Sequence, residues 1–278
     1  MSKLGELVYT DLVERGKSLQ TARSWRGIMN RFQGVCGDKE SYCRADVINY
    51  LADCRERAIT QNSIVTMLRP VKLLWQILDL GEFPKLAMPK VKATDVNRPI
   101  LDSEEIVRMI KEGKHVLDKQ SIAYLALATT YGLRRGEMSK MSDKFVRGVR
   151  ELRVETLKGG PVTVHKVPDE IKKHLNGFQT IDDRYMSRKF NAICNRVGLR
   201  NKKGYGWHSI RRRLATELIT RGLPSLMVVR YMRWSDAWMK GEMGMLGIYV
   251  GKEQRTIDKE VFKVHPFLEY WNGGQLKP

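Results

Sequence analysis

The sequence has few of the features that mark membrane, secreted or zinc-binding proteins. No apolar run in its 278 residues approaches the roughly 18 that a membrane span needs, and the N-terminus has no signal-peptide apolar stretch. We therefore expect an intracellular, cytoplasmic protein. The chain has only four cysteines, which form no C-x-x-C pair and are Cys36, Cys43, Cys54 and Cys194. Their spacing argues against a structural zinc site and predicts reduced, partly buried thiols.

The chain also has fewer acidic than basic residues. The chain has 31 Asp and Glu against 50 Lys and Arg, so its formal net charge is +19 at pH 7. Residues 1–100 carry a net charge of +5, and residues 101–278 carry +14. This surplus favours a polyanionic partner, most simply nucleic acid, although a generic basic surface has the same composition. The sequence has no acidic cluster typical of two-metal nucleases.

The first 80 residues contain no strand pattern, and their apolar residues recur at helical spacing. We predict four helices, with approximate limits at 4–13, 19–35, 45–58 and 64–80. Pro70 should kink the last of them or start a new helix. These helices would form a small domain of residues 1–82. Three prolines and three lysines between positions 83 and 99 predict an extended linker, either solvated or running along a phosphate backbone.

Residues 100–278 are predicted to form a second domain that is mainly α-helical. Its first helix begins in the acidic segment 102–105, and a strongly apolar helix follows at about 121–131. Two short alternating runs at 151–155 and 162–167 flank a Gly-Gly-Pro segment, which predicts an antiparallel β-hairpin. The pattern is helical again from about Ser187. The expected fold class is therefore mainly α with a small antiparallel sheet in the second domain.

The candidate functional residues of the second domain are basic or aromatic. Arg134 follows the apolar helix and Gly132, and Glu137 lies within helical reach of it. His208 and Arg211 are three residues apart and would share a face at a helix N-terminus, the end that favours anions. A guanidinium offers a bidentate fork to phosphate, and an imidazole exchanges protons near neutral pH. A surface ion pair and an ordinary basic helix are the alternatives.

Three further candidates are Lys158, Trp234 and Tyr249. Lys158 lies at the tip of the predicted hairpin, where a lysine is normally solvated, and Lys166 on the return strand is a weaker candidate. The Trp234 indole can donate one hydrogen bond but cannot exchange a proton, and a tryptophan is usually part of the core. Tyr249 is a plausible nucleophile. A phenol with its ordinary pKa of about 10 is a weak nucleophile and needs nearby cations or a base to activate it.

In order and approximate spacing this set resembles that of the tyrosine recombinases, or phage integrase family. The resemblance covers nearly the whole chain. The matching motifs are Gly-Leu-Arg-x-x-Glu, a hairpin lysine, His-x-x-Arg, a His or Trp, and a tyrosine, which fall on Arg134, Glu137, Lys158, His208, Arg211, Trp234 and Tyr249. The departures are Ile210 and Arg212 in place of Leu and His, Arg233 in place of Gly, and a long gap of fifteen residues before Tyr249.

The resemblance implies a reaction in which duplex DNA is cut and rejoined without ATP or a metal. Tyr249 would attack the scissile phosphate, giving a 3′-phosphotyrosyl link and a free 5′-hydroxyl. Arg134 and Arg211 would hold the phosphate oxygens. Lys158 would protonate the leaving 5′-oxygen, and His208 would assist proton transfer from the tyrosine. The supporting residues would be Glu137, which holds the first arginine, and Trp234, which donates a hydrogen bond.

The resemblance also implies an architecture and partners. A core-binding domain of residues 1–82 and a catalytic domain of residues 100–278 would enclose duplex DNA in a C-shaped clamp, and a homotetramer would assemble on paired sites. Further DNA contacts are expected at Arg135, Arg212, Lys90 and Lys92. We expect the integrase of a mobile element. The alternatives are a Xer-type resolvase of chromosome or plasmid dimers, a type IB-like topoisomerase and a DNA-binding protein without catalysis.

The 29 residues after Tyr249 are more apolar than an exposed tail should be. They include Val261, Phe262, Val264, Phe267, Leu268, Tyr270 and Trp271. This segment either folds back on its own domain or, as the resemblance suggests, docks on a neighbouring protomer and couples one active site to the next.

Overall fold

The structure is a computed structural model that describes residues 2–87, 100–157, 162–199, 204–234 and 253–272. The chain divides into two compact units, Met1–Asn97 and Arg98–Pro278. Most of the segment predicted as a linker lies outside the described residues. Within the described ranges, every helix is too short or too polar to cross a membrane. The four cysteines are free thiols and three of them are buried, as predicted.

Four helices build the first unit, namely α1 (Lys3–Glu14), α2 (Leu19–Cys36), α3 (Arg44–Glu56) and α4 (Gln61–Ile77). Ser2, Ser18 and Thr60 cap three of them, because each side-chain oxygen accepts a backbone N–H of the first turn. The helices enclose one core, which includes Val8, Met29, Phe32, Tyr50 and Leu74. All four helices are predicted from the sequence, with ends that differ by at most three residues.

Pro70 lies inside α4, which continues without a break from Gln61 to Ile77. The alternative in which Pro70 starts a new helix is therefore wrong. Proline removes one backbone hydrogen bond from a helix. Burial of Val71, Leu74 and Trp75 in the turns that follow keeps the chain helical, because burying large apolar side chains contributes more than one hydrogen bond.

The second unit is mainly helical, with a single hairpin among its described residues. Its elements are α5 (Ser103–Val116), α6 (Lys119–Tyr131), α7 (Arg135–Met138), β1 (Glu151–Glu155), β2 (Val162–Lys166), α8 (Asp169–Leu175), α9 (Asp183–Arg196), α10 (Trp207–Thr220), α11 (Ser225–Tyr231) and α12 (Gln254–Val264). The strands β1 and β2 pair antiparallel, with Glu151 opposite Lys166. The predicted fold class is confirmed: the chain is mainly α with a small antiparallel sheet.

Helix α6 packs against α5, α8 and α10 in the core of the second unit. The apolar residues of its central turns leave little polar face, which predicts a buried helix, and every residue from Ala123 to Tyr131 is at most 1% exposed. Gly132 ends the helix in the left-handed conformation, with a φ of 57°. Glycine adopts this conformation without the steric penalty of a Cβ. The turn at Gly132 places Arg134 directly before α7.

The tail residues 253–272 pack on the second unit of their own chain. Ile257 and Val261 on α12, and Phe267 and Trp271 beyond it, belong to the same core as α6. The Trp271 indole N–H donates to Thr129 Oγ1 at 3.2 Å. Of the two arrangements expected for this segment, the structure shows the one in which it folds back on its own domain.

Candidate active site

Arg134 and Glu137 are paired, as their spacing predicts. Glu137 lies in the first turn of α7 and accepts the Arg134 backbone N–H at 2.9 Å and its Nη1–H at 2.5 Å. The Glu137 side chain is buried. Burial alone would raise the pKa of Glu137, but Arg233 and Arg134 together hold that pKa below its ordinary value. The carboxylate is therefore ionised at neutral pH and fixes the Arg134 side chain.

Arg211 lies on the buried face of α10 and is 1% exposed. Its Nη1–H donates to the Gly132 carbonyl at 2.5 Å, and its Nη2–H donates to the Met232 carbonyl. Its Nε has no hydrogen-bond partner among the described residues. Burial, together with the charges of Arg233 and Arg134, lowers the pKa of Arg211 well below its ordinary value. A guanidinium desolvated in this way is strongly stabilised by a nearby anion.

His208 lies in the first turn of α10, which begins at Trp207. His208 is exposed, whereas Arg211 is buried. The two residues lie one turn apart on α10, as their spacing predicts, but only His208 is accessible to solvent. An exposed imidazole one turn from a buried guanidinium is accessible to a ligand that approaches from solution.

The turn at Met232–Arg233 brings the two candidate arginines together. Arg211 donates to the Met232 carbonyl, and Arg134 Nη2–H donates to the next carbonyl along the chain, that of Arg233, at 3.4 Å. Trp234 follows this turn directly, is partly buried and packs against the core of the second unit. The structure thus brings Arg134 and Arg211, from two separate segments of the chain, to the two backbone carbonyls that precede Trp234.

Arg233 occupies the centre of this arrangement. It is fully buried and its φ is 52°, a left-handed conformation that costs a residue with a Cβ about 1–2 kcal/mol. Its guanidinium donates to the carbonyls of Tyr231 at 2.9 Å and Tyr131 at 3.0 Å, and it lies 3.4 Å from Glu137 Oε2. From the sequence Arg233 is only a departure from the family motif, and these contacts give the departure a structural role.

A buried His165–Asp258 pair extends this network to α12. His165 Nδ1 lies 2.9 Å from Asp258 Oδ1, and Asp258 Oδ2 accepts the Lys166 backbone N–H at 2.7 Å. Burial lowers the pKa of His165, and Asp258 opposes that shift. The pair is not among the residues that the sequence motifs single out. Its one signal is the alternation of β2, in which Thr163 and His165 are the inward residues.

The other predicted site residues are exposed, partly buried or not described. Arg135 is exposed and forms an ion pair with Asp183 Oδ1 at 2.8 Å, and Arg212 is partly buried on α10. The predicted residues outside the described ranges are Lys90, Lys92, Lys158 and Tyr249. In the part of the chain that the structure describes, no group of three His, Cys, Asp or Glu side chains could hold a metal ion.

Two other tyrosines of this region are unsuited to nucleophilic attack. Tyr231 is fully buried, and its hydroxyl donates to the Thr130 carbonyl at 2.7 Å. Tyr270 is also buried. Burial raises the pKa of both phenols, so that neither forms a phenolate readily.

No protein-family model and no curated protein matches this chain, whereas solved structures do. Lambda integrase, as a tetramer bound to a Holliday junction, is 14% identical, with a TM-score of 0.64 over 88% of this chain and 76% of that one. The Tn1549 transposon integrase, in complex with transposon right end DNA, is 14% identical, with a TM-score of 0.57 over 95% of this chain and 99% of that one. The chain therefore has the fold of the tyrosine recombinases and integrases.

Proposed function

We propose that this protein is a site-specific DNA recombinase that cuts and rejoins duplex DNA through a 3′-phosphotyrosyl intermediate. The observation that carries the proposal is the convergence of Arg134 and Arg211 on consecutive carbonyls beside Trp234. The shared fold supports it, since lambda integrase and the Tn1549 integrase were both solved bound to DNA. The net charge of +19 supports a polyanionic partner independently.

Tyr249 is the nucleophile of the proposed reaction. Its oxygen forms a bond to the scissile phosphorus while the bond to the 5′-oxygen breaks, and the tyrosine proton passes to His208. Lys158 gives a proton to the 5′-oxygen, which leaves as a hydroxyl. In the return step a 5′-hydroxyl attacks the phosphotyrosine and releases Tyr249. The phosphotyrosyl link conserves the bond energy, so rejoining needs neither ATP nor a metal.

Arg134 and Arg211 stabilise the negative charge that grows on the non-bridging phosphate oxygens, and stabilisation of this kind commonly contributes more to catalysis than any other effect. Both donate to neutral carbonyls in this structure, and a phosphate oxygen is a stronger acceptor for a guanidinium. The burial of Arg211 increases the effect, because electrostatic attraction strengthens where water is excluded. Glu137 keeps Arg134 in place, and Trp234 adds an indole N–H.

Residues 1–82 and 100–278 are the proposed DNA-binding and catalytic domains, joined by the linker at 83–99. Lys90 and Lys92 of the linker, together with Arg135 and Arg212, contact phosphates. Four protomers on two paired sites bring four active sites together. The proposed role is the integration and excision of a mobile element, carried out in the cytoplasm.

Covalent trapping tests this proposal. The protein is incubated with duplex DNA that has a randomised core of about 30 base pairs, roughly three helical turns. The reaction is stopped with detergent, and the DNA that remains attached to protein is amplified and sequenced over successive rounds. The proposal predicts an adduct through the 3′-phosphate at one position of a recurring sequence.

Two variants control the trapping experiment. Tyr249→Phe loses only a hydroxyl, so it should bind the recovered duplex normally and form no adduct. Tyr270→Phe removes a buried hydroxyl and should still form the adduct. Failure of the wild-type protein to form any adduct refutes the proposed function, and an adduct with Tyr249→Phe refutes the choice of nucleophile. Relaxation of supercoiled plasmid without a recurring cleavage sequence indicates a topoisomerase instead.

A further inference from the structure

A buried chain of polar contacts joins the arginine site to α12. It begins at Glu137, which accepts from Arg134 and lies 3.4 Å from Arg233 Nη2. Arg233 Nη1 lies 3.3 Å from His165 Nε2, and His165 Nδ1 lies 2.9 Å from Asp258 Oδ1 on α12. From Glu137 to Asp258, every side chain of this chain is at most 2% exposed. The contacts therefore act in a low-dielectric environment, where each is stronger than at the surface.

Arg233 is the link between the two ends of this chain. The carbonyls of Tyr131 and Tyr231 accept hydrogen bonds from its guanidinium, which thereby also contacts the ends of α6 and α11. Its backbone has a φ of 52°, which is strained for an arginine. Strain of this kind persists only where the surroundings hold the residue in place, and it is concentrated at functional sites.

Asp258 attaches α12 to the hairpin. Its carboxylate accepts the Lys166 backbone N–H at 2.7 Å and the Gln254 side-chain amide at 2.9 Å. Gln254 is the first residue of α12, so these contacts hold the start of that helix against β2.

We propose that Arg233 is a positioning residue that couples the position of α12 to the orientation of Arg134. It acts through Glu137 on one side and through the buried histidine–aspartate pair on the other. A displacement of α12 is thereby transmitted to the arginine that holds the phosphate. The role of Arg134 in this proposal rests on the proposed function.

Single-turnover cleavage of the duplex recovered by trapping measures the coupling. Arg233→Met removes the charge and should slow cleavage at saturating DNA on the order of tenfold or more, while the Kd for that duplex changes by less than about twofold. Arg233→Lys restores a positive charge beside Glu137 and should recover part of the rate. Arg184→Met is the matched control, since its side chain is 80% exposed, and it should cleave at the wild-type rate.

Asp258→Asn tests the other end of the chain. It keeps the shape of the side chain but removes the charge that pairs with His165, and it should also slow cleavage. The double variant with Arg233→Met should be no slower than the slower single variant, because both changes interrupt one chain of contacts. A wild-type rate for Arg233→Met, or single effects that multiply in the double variant, overturns the proposal. If Arg233 had only a structural role, its replacement would lower the melting temperature and would change the cleavage rate and the Kd together.

Amide hydrogen exchange separates this proposal from the proposed function, since it needs no DNA. Arg233→Lys and Asp258→Asn should each speed exchange in Gln254–Val264 by about tenfold, while the amides of α6 change little. Unchanged protection of α12 in both variants overturns the coupling, whether or not the wild-type protein cleaves DNA. If Arg233→Met does not fold, these two conservative variants are used for both the cleavage and the exchange measurements.

Discussion

Among single residues, His265 shows how burial and hydrogen bonding fix a protonation state. Its Nε2 lies 2.9 Å from the Thr130 carbonyl, and its Nδ1 accepts the Phe267 backbone N–H at 3.2 Å. One ring nitrogen is thus a donor and the other an acceptor, which is the pattern of a neutral imidazole. Burial lowers the pKa of His265 to about 4.

We predict that acid destabilises the fold through His265. A histidine in the unfolded chain has a pKa of about 6.5. Between about pH 6.5 and 4 this residue is therefore protonated in the unfolded state but not in the folded state. The free energy of unfolding consequently decreases as the pH falls through that range. From pH 7 to pH 5 the loss is about 2 kcal/mol. Urea unfolding should show this loss for the wild-type protein but not for His265→Gln, whose amide can keep both hydrogen bonds. An identical pH dependence of the two proteins would contradict the prediction.

Arg211→Lys should nearly abolish cleavage. The Arg211 fork reaches the carbonyls of Gly132 and Met232 at once, and a lysine ammonium cannot reproduce that planar geometry. We expect a loss on the order of a hundredfold or more in single-turnover cleavage. Arg212→Lys is the matched control on the next position of α10, where a point charge suffices for phosphate contact, and it should cleave normally. Near-normal cleavage by Arg211→Lys would remove this residue from the phosphate.

Contacts between residues were predictable only where they are local. Arg134 and Glu137 are three positions apart, and their motif predicts the pairing that the structure shows. The contact from Arg233 to His165 joins positions 68 apart, and the contact from His165 to Asp258 joins positions 93 apart. No periodicity relates residues at such distances, because the packing of α12 against the hairpin determines which side chains meet.

Among the elements, the end of α6 determines the geometry of the site. Any other residue at position 132 would have to adopt the left-handed conformation. Its Cβ would lie 2.7 Å from Met232 Cε and 3.3 Å from Leu214 Cδ2. Met232 and Leu214 are both fully buried. A side chain at position 132 would therefore displace the end of the buried Met232 side chain.

Gly132→Ala should destabilise the protein more than Gly148→Ala. Gly148 also has a positive φ, of 64°, but a Cβ there meets nothing within 4 Å, so alanine at this position costs about 1 kcal/mol for conformation alone. At Gly132 the crowding of Met232 and Leu214 adds about 1 kcal/mol or more. The free energies of unfolding from urea titrations measure both costs. Equal costs would show that the site accommodates the extra methyl group.

Helices and strands were predictable where one pattern dominates. The apolar sequence of α6 and the alternation of β1 and β2 give the observed elements almost to the residue. The prediction that Pro70 could start a new helix is wrong, because a local rule for proline does not include the apolar burial that keeps α4 continuous. The bounds of α12 were not predicted, since apolar residues alone do not show where its helix begins.

For the molecule as a whole, the tail is part of the second core rather than an appendage. Deleting residues 260–278 would remove Val261, Phe267, Leu268 and Trp271 from that core. We expect the deletion to lower the melting temperature by more than about 10 °C or to prevent soluble expression, since each large buried side chain contributes about 2 kcal/mol. A deletion that begins after Asn272 is the control. A wild-type melting temperature for the longer deletion would contradict the observed packing.

The division into a helical first domain and a mainly α-helical second domain was predictable from the sequence motifs. A basic and aromatic set in the second half, preceded by a helical segment, indicates both the fold and the family resemblance. The position of the tail could not be decided from composition, because an apolar segment packs equally well on its own domain or on another copy. In the structure the tail contacts α6 of its own chain, where His265 Nε2 lies 2.9 Å from the Thr130 carbonyl and the Trp271 indole N–H donates to Thr129 Oγ1.

The residue that becomes attached to DNA decides whether the proposed reaction is correct. The trapped adduct is digested with nuclease and protease, and the peptide that carries the remaining nucleotide is identified by mass spectrometry. We predict a single modified residue, Tyr249, joined through its phenolic oxygen to a 3′-phosphate. A nucleotide on Tyr231, on Tyr270 or on a serine, or a 5′-phosphate linkage, would contradict the proposed reaction.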